Sequence, residues 1–369
     1  MKRTAGRCAV ILLAVAAAVG APSAGAQQVL VIDTAAGRVI IDDEWRAIRT
    51  MEDMPLDRTR GILYVTDAEE EEEGVMAFSL ETGEWIRTIP TPEGDGPREL
   101  PQGISGMSLG RDGGLYVAGF VKVLEFDPIG RYVGNWHPHA GMIHGVCDLG
   151  GQPTAVGYGG VVRRAPDGAS ERFGPGIVDH RTRTTKKTRD GRVTTASGSP
   201  PRIACTADAA YVLASSGEGA DSVFVHHRDG GVKRWAVPAE LAEALDDDCK
   251  VQVEHFSIEL PCTTWPRYRK PHLDGQGDLV LIGHDVEVPG AVIDPETGCY
   301  AAVRKPGKTF DYGAMNVYRD SVLVFRNVAW GDDRGRATLS SAANRVSLHP
   351  LRRVSGEPCP GMLPSVGEG

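Results

Sequence analysis

Several familiar signatures are missing from this chain. Beyond residue 26 no apolar run is long enough to span a bilayer, and there is no C-x-x-C pair, no H-E-x-x-H and no glycine-rich phosphate loop. These absences disfavour a membrane span, a zinc ribbon, a thioredoxin-like redox site and nucleotide chemistry. The net charge is −9, a sign that disfavours nucleic acid as a partner.

The first 26 residues have the features of an export leader. It has a basic start, an apolar middle too short for a membrane span, and a small-residue cleavage signal: Lys2, Arg3 and Arg7, residues 8–19, and Ala24-Gly25-Ala26. Cleavage before Gln27 would leave residues 27–369. We therefore expect an exported protein, periplasmic or extracellular.

Residues 94–136 indicate the architecture of the mature chain. They contain four short apolar runs, at residues 104–109, 115–118, 121–126 and 132–136, with the turn signals R-D-G-G (111–114) and D-P-I-G (127–130) between them. Short β-rich runs bounded by Gly, Pro and Asp are typical of strands joined as hairpins. A four-stranded meander of this length is one blade of a β-propeller.

The same stretch resembles the NHL repeat. Three of its segments carry the resemblance: G-D-G-P-R-E-L (94–100), D-G-G-L-Y-V (112–117) and F-D-P-I-G (126–130). The resemblance implies a propeller of NHL-like blades, and it specifies a fold rather than an activity.

The strand-and-turn rhythm recurs along the chain and predicts six blades. The predicted units are residues 55–89, 94–136, 143–173, 201–235, 271–303 and a last one from about 313 to 351. We expect an all-β, single-domain, six-bladed propeller of four-stranded antiparallel blades. A seven-bladed ring is the alternative if the N-terminal hairpin belongs to a blade of its own.

Two segments lie outside this rhythm. The hairpin at residues 29–41 precedes the first blade, and we expect it to close the ring by pairing with the last blade. Residues 179–196 are rich in Arg and Lys around an R-D-G turn and predict a solvated basic arm.

Six cysteines follow the leader, and an even number in an exported chain predicts disulfides with 15 possible pairings. Equivalent inner-strand positions in adjacent blades make Cys147 and Cys205 one candidate pair. Cys249 and Cys262 would close a short loop. Cys299 and Cys359 remain, and would tie the C-terminal segment to the fifth blade.

The candidate site follows from propeller geometry. Inner strands start on the same face of the ring where second strands end, so residues at those two places surround one mouth of the channel. The expected ligand-binding rim consists of Asp67, His144, Tyr158, Arg202, His272 and His284. Its cationic and aromatic character favours an anionic or hydrogen-bond-rich ligand.

Three functional hypotheses remain open. The first is a monomeric, non-catalytic binding module that presents this rim to a protein, peptide or glycan, with no catalytic residue, metal or cofactor assigned. The second is a metal-dependent lactonase or lyase with Ca²⁺ or another divalent ion in the central channel. The third is a structural part of an envelope assembly. Fold alone does not choose among them.

Overall fold

The structure is a computed structural model. It describes residues 29–33, 35–42, 48–49, 54–66, 74–173, 184–187, 193–196, 201–215, 221–237, 250–253, 256–259, 268–283, 290–303, 314–326, 342–343, 345–354 and 361–363. The predicted leader lies outside these ranges, and export stays a prediction.

The described residues form 32 strands and no helix. The N-terminal strands and the first two blades contribute β1 (Val29–Ile32), β2 (Arg38–Asp42), β3 (Ile48–Arg49), β4 (Leu56–Asp57), β5 (Ile62–Thr66), β6 (Gly74–Ser79), β7 (Trp85–Pro90), β8 (Gly106–Leu109), β9 (Leu115–Ala118), β10 (Val123–Phe126) and β11 (Tyr132–Trp136). The next two blades and one hairpin contribute β12 (Ile143–Leu149), β13 (Gln152–Gly157), β14 (Gly160–Arg164), β15 (Ser170–Arg172), β16 (Thr184–Lys187), β17 (Val193–Ala196), β18 (Arg202–Cys205), β19 (Ala209–Ser215), β20 (Asp221–His227) and β21 (Val232–Ala236).

The remaining strands complete the ring. They are β22 (Lys250–Val253), β23 (Phe256–Glu259), β24 (Tyr268–Leu273), β25 (Leu279–Gly283), β26 (Gly290–Ile293), β27 (Cys299–Val303), β28 (Ala314–Tyr318), β29 (Ser321–Arg326), β30 (Ala342–Ala343), β31 (Arg345–Val354) and β32 (Gly361–Met362). No helix in the described part of the chain has the length and apolar character that a membrane crossing requires.

Six antiparallel sheets form the blades of a propeller, which confirms the predicted fold and the six-bladed count. Blades 1 to 4 are β4–β7, β8–β11, β12–β15 and β18–β21. Blade 5 is β24–β27 with β32 added at its outer edge. Blade 6 contains β28, β29 and β31 together with N-terminal strands.

The N-terminal strands complete the last blade. Strand β1 pairs antiparallel with the second half of β31, from Val29 opposite Val354 to Ile32 opposite Leu351. Strand β2 pairs with the first half of β31. The two ends of the chain therefore share one sheet, and an outer strand from the N-terminus covers an edge that β31 would otherwise expose.

Apolar contacts between neighbouring blades form the core. Strand β5 is buried along its whole length, because Leu63 and Val65 pack toward blade 6 while Ile62 and Tyr64 pack toward blade 2. Alternation of side chains along a strand sends them to both faces of each sheet. The core clusters of the described residues fall at each of the six junctions between consecutive blades.

Short turns join first to second strands and third to fourth strands on one side of the ring, which we call the turn face. Polar contacts between blades lie there. In blade 1 the Arg58 guanidinium donates to Ser321 Oγ of blade 6 at 2.5 Å and pairs with Asp320 at 2.5 Å. These bonds link the first blade to the last.

Further contacts on the turn face join other blades. Arg60 pairs with Asp57 in its own blade and donates to the carbonyls of Gly113 and Pro128 in blade 2. In blade 2 the backbone N–H of Arg111 donates to an Asp148 carboxylate oxygen of blade 3 at 3.1 Å. The turn face is therefore held by bonds that cross blade boundaries.

A disulfide joins blades 3 and 4. Cys147 on β12 and Cys205 on β18 are bonded, with their Cα atoms 5.7 Å apart, which confirms the predicted pair. Cys299 is also disulfide-bonded. Cys249, Cys262 and Cys359 lie outside the described ranges, so the other two pairings stay predictions.

The opposite side, which we call the loop face, carries the long connections. Within blades 2 and 3 its connections are the short segments 119–122 and 158–159, whereas 29 residues separate β15 from β18 and 31 separate β21 from β24. The predicted basic arm falls in the first of these intervals, where β16 and β17 pair as a two-stranded antiparallel hairpin.

A buried histidine lies between blades 3 and 4. His226 on β20 is 1% exposed, and neither ring nitrogen has a hydrogen-bond partner among the described residues. Its ring lies between Phe173, at 6.0 Å, and Phe224, at 6.4 Å. The guanidiniums of Arg163 and Arg234 lie over those two phenyl rings. Two phenyl rings thus flank a buried imidazole, and burial disfavours its charged form.

Replacing both members of the Cys147–Cys205 pair with alanine should lower the free energy of unfolding. The bond joins residues 58 apart in sequence, and chain entropy predicts a loss of about 4 kcal/mol for a loop of that size. Urea unfolding of the Cys147→Ala/Cys205→Ala variant measures the loss. A variant as stable as wild type would contradict this role.

His226 should make the protein less stable in mild acid. Burial, with a smaller effect of His227, lowers the pKa of His226 to about 4. Between about pH 6.5 and pH 4 the unfolded chain binds a proton that the folded chain does not, so stability falls as pH is lowered through this window. The full loss is about 3 kcal/mol.

The pH dependence of stability in the His226→Phe variant, compared with that of wild type, isolates the contribution of His226. We expect thermal unfolding of His226→Phe to depend less on pH between 7 and 4 than that of wild type. The exposed His137→Gln variant is the matched control and should keep the wild-type profile. Parallel profiles for His226→Phe and wild type would show that His226 does not carry the acid sensitivity.

Candidate functional site

Three of the predicted rim residues meet at the mouth of the channel on the loop face. His144 is the second residue of β12, Tyr158 follows the end of β13, and Arg202 is the first residue of β18. The antiparallel register puts Ile143 opposite Gly157 and Arg202 opposite Leu213, so these positions lie at the loop-face ends of their blades.

Aromatic rings line this mouth. The His144 ring is 4.5 Å from the Tyr158 ring at an interplanar angle of 68°, and 6.2 Å from the Phe120 ring at 86°. His144 is only 6% exposed, while Phe120 and Tyr158 are half-buried. Edge-to-face contacts of this kind hold the rings in fixed relative positions.

Arg202 bridges three blades at the same mouth. Its Nη1 donates to the carbonyl oxygen of His144 at 2.5 Å and to that of Ser105 at 3.0 Å. Ser105 precedes β8, so the guanidinium reaches from blade 4 across blade 3 to blade 2. Within the described part of the chain, Nε and Nη2 of Arg202 make no hydrogen bond or ion pair. The guanidinium is fixed in place while part of its donor fork remains available.

The loop that resembles the NHL motif is folded by its own polar groups. The backbone N–H of Gly96 donates to Glu99 Oε2 at 2.7 Å, and Lys122 Nζ donates to the carbonyl of Gly96 at 2.6 Å. Tyr132 Oη donates to the carbonyl of Pro97 at 2.9 Å. Lys122 and Tyr132 of blade 2 thus hold the connection between blades 1 and 2 in place. The G-D-G-P-R-E-L segment therefore has a structural role.

Two apolar residues at this mouth were missed by sequence reasoning. Val121 is 51% exposed and Met142 is 42% exposed. The sequence assigned Val121 to a strand over 121–126, but β10 begins at Val123 and leaves Val121 in a turn. Apolar residues beside glycines, as in G-F-V (119–121) and G-M (141–142), were the available signal.

His272 does not lie at the predicted mouth. The sequence predicted that the inner strand of blade 5 begins near residue 271, but β24 starts at Tyr268, with an irregular register between Tyr268 and Pro271. His272 pairs with Val280, next to the turn that joins β24 to β25. The prediction that His272 belongs to the rim is therefore wrong, because this residue lies at the turn-face end of the channel. Asp67 and His284 lie outside the described residues, and their part in the rim stays a prediction.

The channel also opens toward the turn face as a cavity of about 1120 Å³, lined by inner strands of all six blades. His272 and the charged residues Arg58, Arg60 and Asp148 line it. The last three bond to neighbouring blades or to their own turns. These three charged residues therefore help to hold neighbouring blades and turns together.

The described residues present neither a metal-binding cluster nor a serine in the setting of a catalytic nucleophile. Among the described residues no group of three or more His, Cys, Asp or Glu side chains could hold a metal ion. The run G-M-S-L-G (106–110), which sequence reasoning passed over, matches the G-x-S-x-G pattern. Its serine, Ser108, lies on β8 rather than on a strand-to-helix turn, and its hydroxyl donates to the carbonyl of Leu109 at 3.3 Å.

Comparisons with known proteins give likenesses of structure alone. No protein-family model matches the chain, and no curated protein matches it in sequence. The NHL repeat thus stays a resemblance. A catalytically inactive virginiamycin B lyase from Staphylococcus aureus, solved with quinupristin, has a TM-score of 0.44 at 9% identity over 86% of this chain and 99% of that one.

Two other solved structures are similar to a comparable extent. A member of the DUF4221 family from Bacteroides vulgatus has a TM-score of 0.47 at 11% identity, over 89% of this chain and 100% of that one. A gluconolactonase from Xanthomonas campestris has a TM-score of 0.47 at 12% identity, over 86% and 89%. Likenesses of this size carry no argument about the ligand or the chemistry of this chain.

Replacing Arg202 should destabilise the propeller. Arg202→Leu removes a charged donor from two backbone carbonyls, and bonds of this type contribute about 1.5–3 kcal/mol each. We expect the free energy of unfolding, measured with urea, to fall by about 2 kcal/mol or more. The exposed Arg172→Leu on β15 is the control and should change it by less than about 0.5 kcal/mol. An equal effect of both variants would mean that the Arg202 bridge contributes nothing.

Proposed function

We propose that this chain is an exported, monomeric, non-catalytic binding module that captures a protein, peptide or glycan at the loop-face mouth of its channel. One observation carries the proposal. The Arg202 guanidinium is held by two backbone carbonyls beside the contacting rings of His144 and Tyr158, with Nε and Nη2 not used by the described residues.

This arrangement suits recognition because it is organised before a ligand arrives. A ligand that meets a flexible arginine must order the side chain, and each long side chain immobilised costs about 0.5–1.5 kcal/mol. The Arg202 side chain is already ordered in the folded protein, because two carbonyls accept hydrogen bonds from it. Tyrosine and arginine are also the side chains enriched among the strongest contributors to binding interfaces.

Other parts of the proposal rest on different observations. Export rests on the leader features of residues 1–26. No specific observation among the described residues favours the lactonase or lyase alternative. The groups that converge on this mouth are a guanidinium, aromatic rings and apolar side chains. Such groups recognise a ligand without implying a reaction.

Removal of the Tyr158 ring should strongly reduce capture of the ligand. Wild type, Tyr158→Ala and Trp85→Ala are immobilised and exposed to an extract of the source organism, and captured proteins and glycans are quantified by mass spectrometry. Trp85 lies on β7, the outermost strand of blade 1, and controls for loss of an exposed aromatic ring. We expect at least one component to be retained by wild type and Trp85→Ala and reduced about tenfold or more by Tyr158→Ala.

The contrary result is equally clear. If Tyr158→Ala recovers the same components at the same yield as the Trp85→Ala control, the loop-face mouth is not the capture site and the proposal is wrong.

A further inference from the structure

A small apolar surface surrounds the loop-face mouth at blades 2 and 3. We call it the apolar rim, and it consists of Phe120, Val121, Met142 and Tyr158. Val121 and Met142 are about half exposed, and Phe120 and Tyr158 flank the buried His144 ring. A grouped set of exposed apolar side chains on a stable framework is typical of a binding surface.

The rim is built on segments that are bonded to one another. The N–H of Ile143 donates to the carbonyl of Phe120 at 2.8 Å, and the N–H of Tyr158 donates to that of Met142 at 3.3 Å. Close approach requires glycine at position 157, because a Cβ atom there would lie 2.5 Å from the carbonyl oxygens of both Ala140 and Met142. The rim is therefore preformed rather than assembled by a ligand.

A positive charge lies beside this rim. Arg202 Nη1 bonds the carbonyl of His144, whose ring contacts Tyr158 and Phe120. Its other acceptor is Ser105, and the N–H of Ser105 bonds the carbonyl of Ala118, two residues before Phe120. No carboxylate in the described part of the chain pairs with Arg202. The surface thus combines an unneutralised guanidinium with exposed apolar side chains.

We propose, on the basis of the binding function argued above, that this mouth binds the free C-terminal carboxylate of a peptide whose last residues are apolar. The carboxylate accepts hydrogen bonds from Nε and Nη2 of Arg202, the bidentate geometry that arginine favours. The apolar terminal side chains pack on Val121, Met142 and Tyr158. Four side chains form a shallow surface that suits one or two residues, whereas a fatty acyl chain needs an enclosed apolar cavity.

Synthetic peptides test the proposal on the whole protein by fluorescence anisotropy. The probe is a fluorescein-labelled decapeptide of glycine and serine that ends in valine-leucine with a free carboxylate. The comparison probes are the same peptide with a C-terminal amide and a free-acid peptide that ends in serine-serine. We expect the first to bind about tenfold or more tightly than either of the others.

Matched variants assign the two halves of the site. Val121→Thr, which keeps the shape of the side chain, should weaken the valine-leucine peptide about threefold or more, while Val133→Thr, an exposed position on β11, should leave it unchanged. Arg202→Lys should remove most of the preference for the free acid over the amide, because lysine lacks the planar fork. Thermal unfolding confirms that each variant is folded.

The outcomes separate the two proposals. Equal affinity for acid and amide, or no effect of Val121→Thr, overturns the C-terminal ligand. Binding of dodecanoate with no binding of any peptide also overturns it in favour of a lipid. If no peptide binds but capture still depends on Tyr158, the ligand class is wrong and the binding function stands. If neither is observed, both are wrong.

Discussion

Apolar packing between neighbouring blades is the interaction on which the structure depends. Each sheet sends apolar side chains to both of its faces, as Leu63 and Tyr64 show on adjacent positions of β5. A single blade would therefore expose at least one apolar face to water, and only a closed ring covers every face. Closure joins blade 6 to blade 1, where Ile40 and Ile41 from the N-terminal β2 pack with Leu323 and Leu56.

The two sides of the ring serve different purposes. On the turn face, short turns place charged groups such as Arg58 and Arg60 against the next blade, and these groups bond across the junctions. The loop face carries the long connections. Arg202 lies on the loop face but also bonds across blade junctions, because its Nη1 donates to two carbonyls of neighbouring blades. Its Nε and Nη2 groups are not used in these bonds. A residue can thus stabilise the ring and present a charge at the mouth.

Blade existence was predictable because its signals are local. Turn sequences such as R-D-G-G and D-P-I-G separate apolar runs, and most neighbouring strands within a blade are joined over a few residues. Strand starts were less predictable. Strand β24 is six residues long, so its start three residues before the predicted one moved His272 from one end of the channel to the other. A late start of β10 likewise moved Val121 from a strand into an exposed turn.

The sequence by itself determined the all-β class and the six-unit rhythm, because turn chemistry and strand length are encoded within each unit, and repeat position made Cys147–Cys205 a candidate pair. Only the tertiary structure decided which residues share a mouth. The Arg202 contact with Ser105 spans 97 residues, and that with His144 spans 58. Such contacts depend on the angle between blades and on the register of each inner strand, which result from packing of the whole ring rather than from any local pattern.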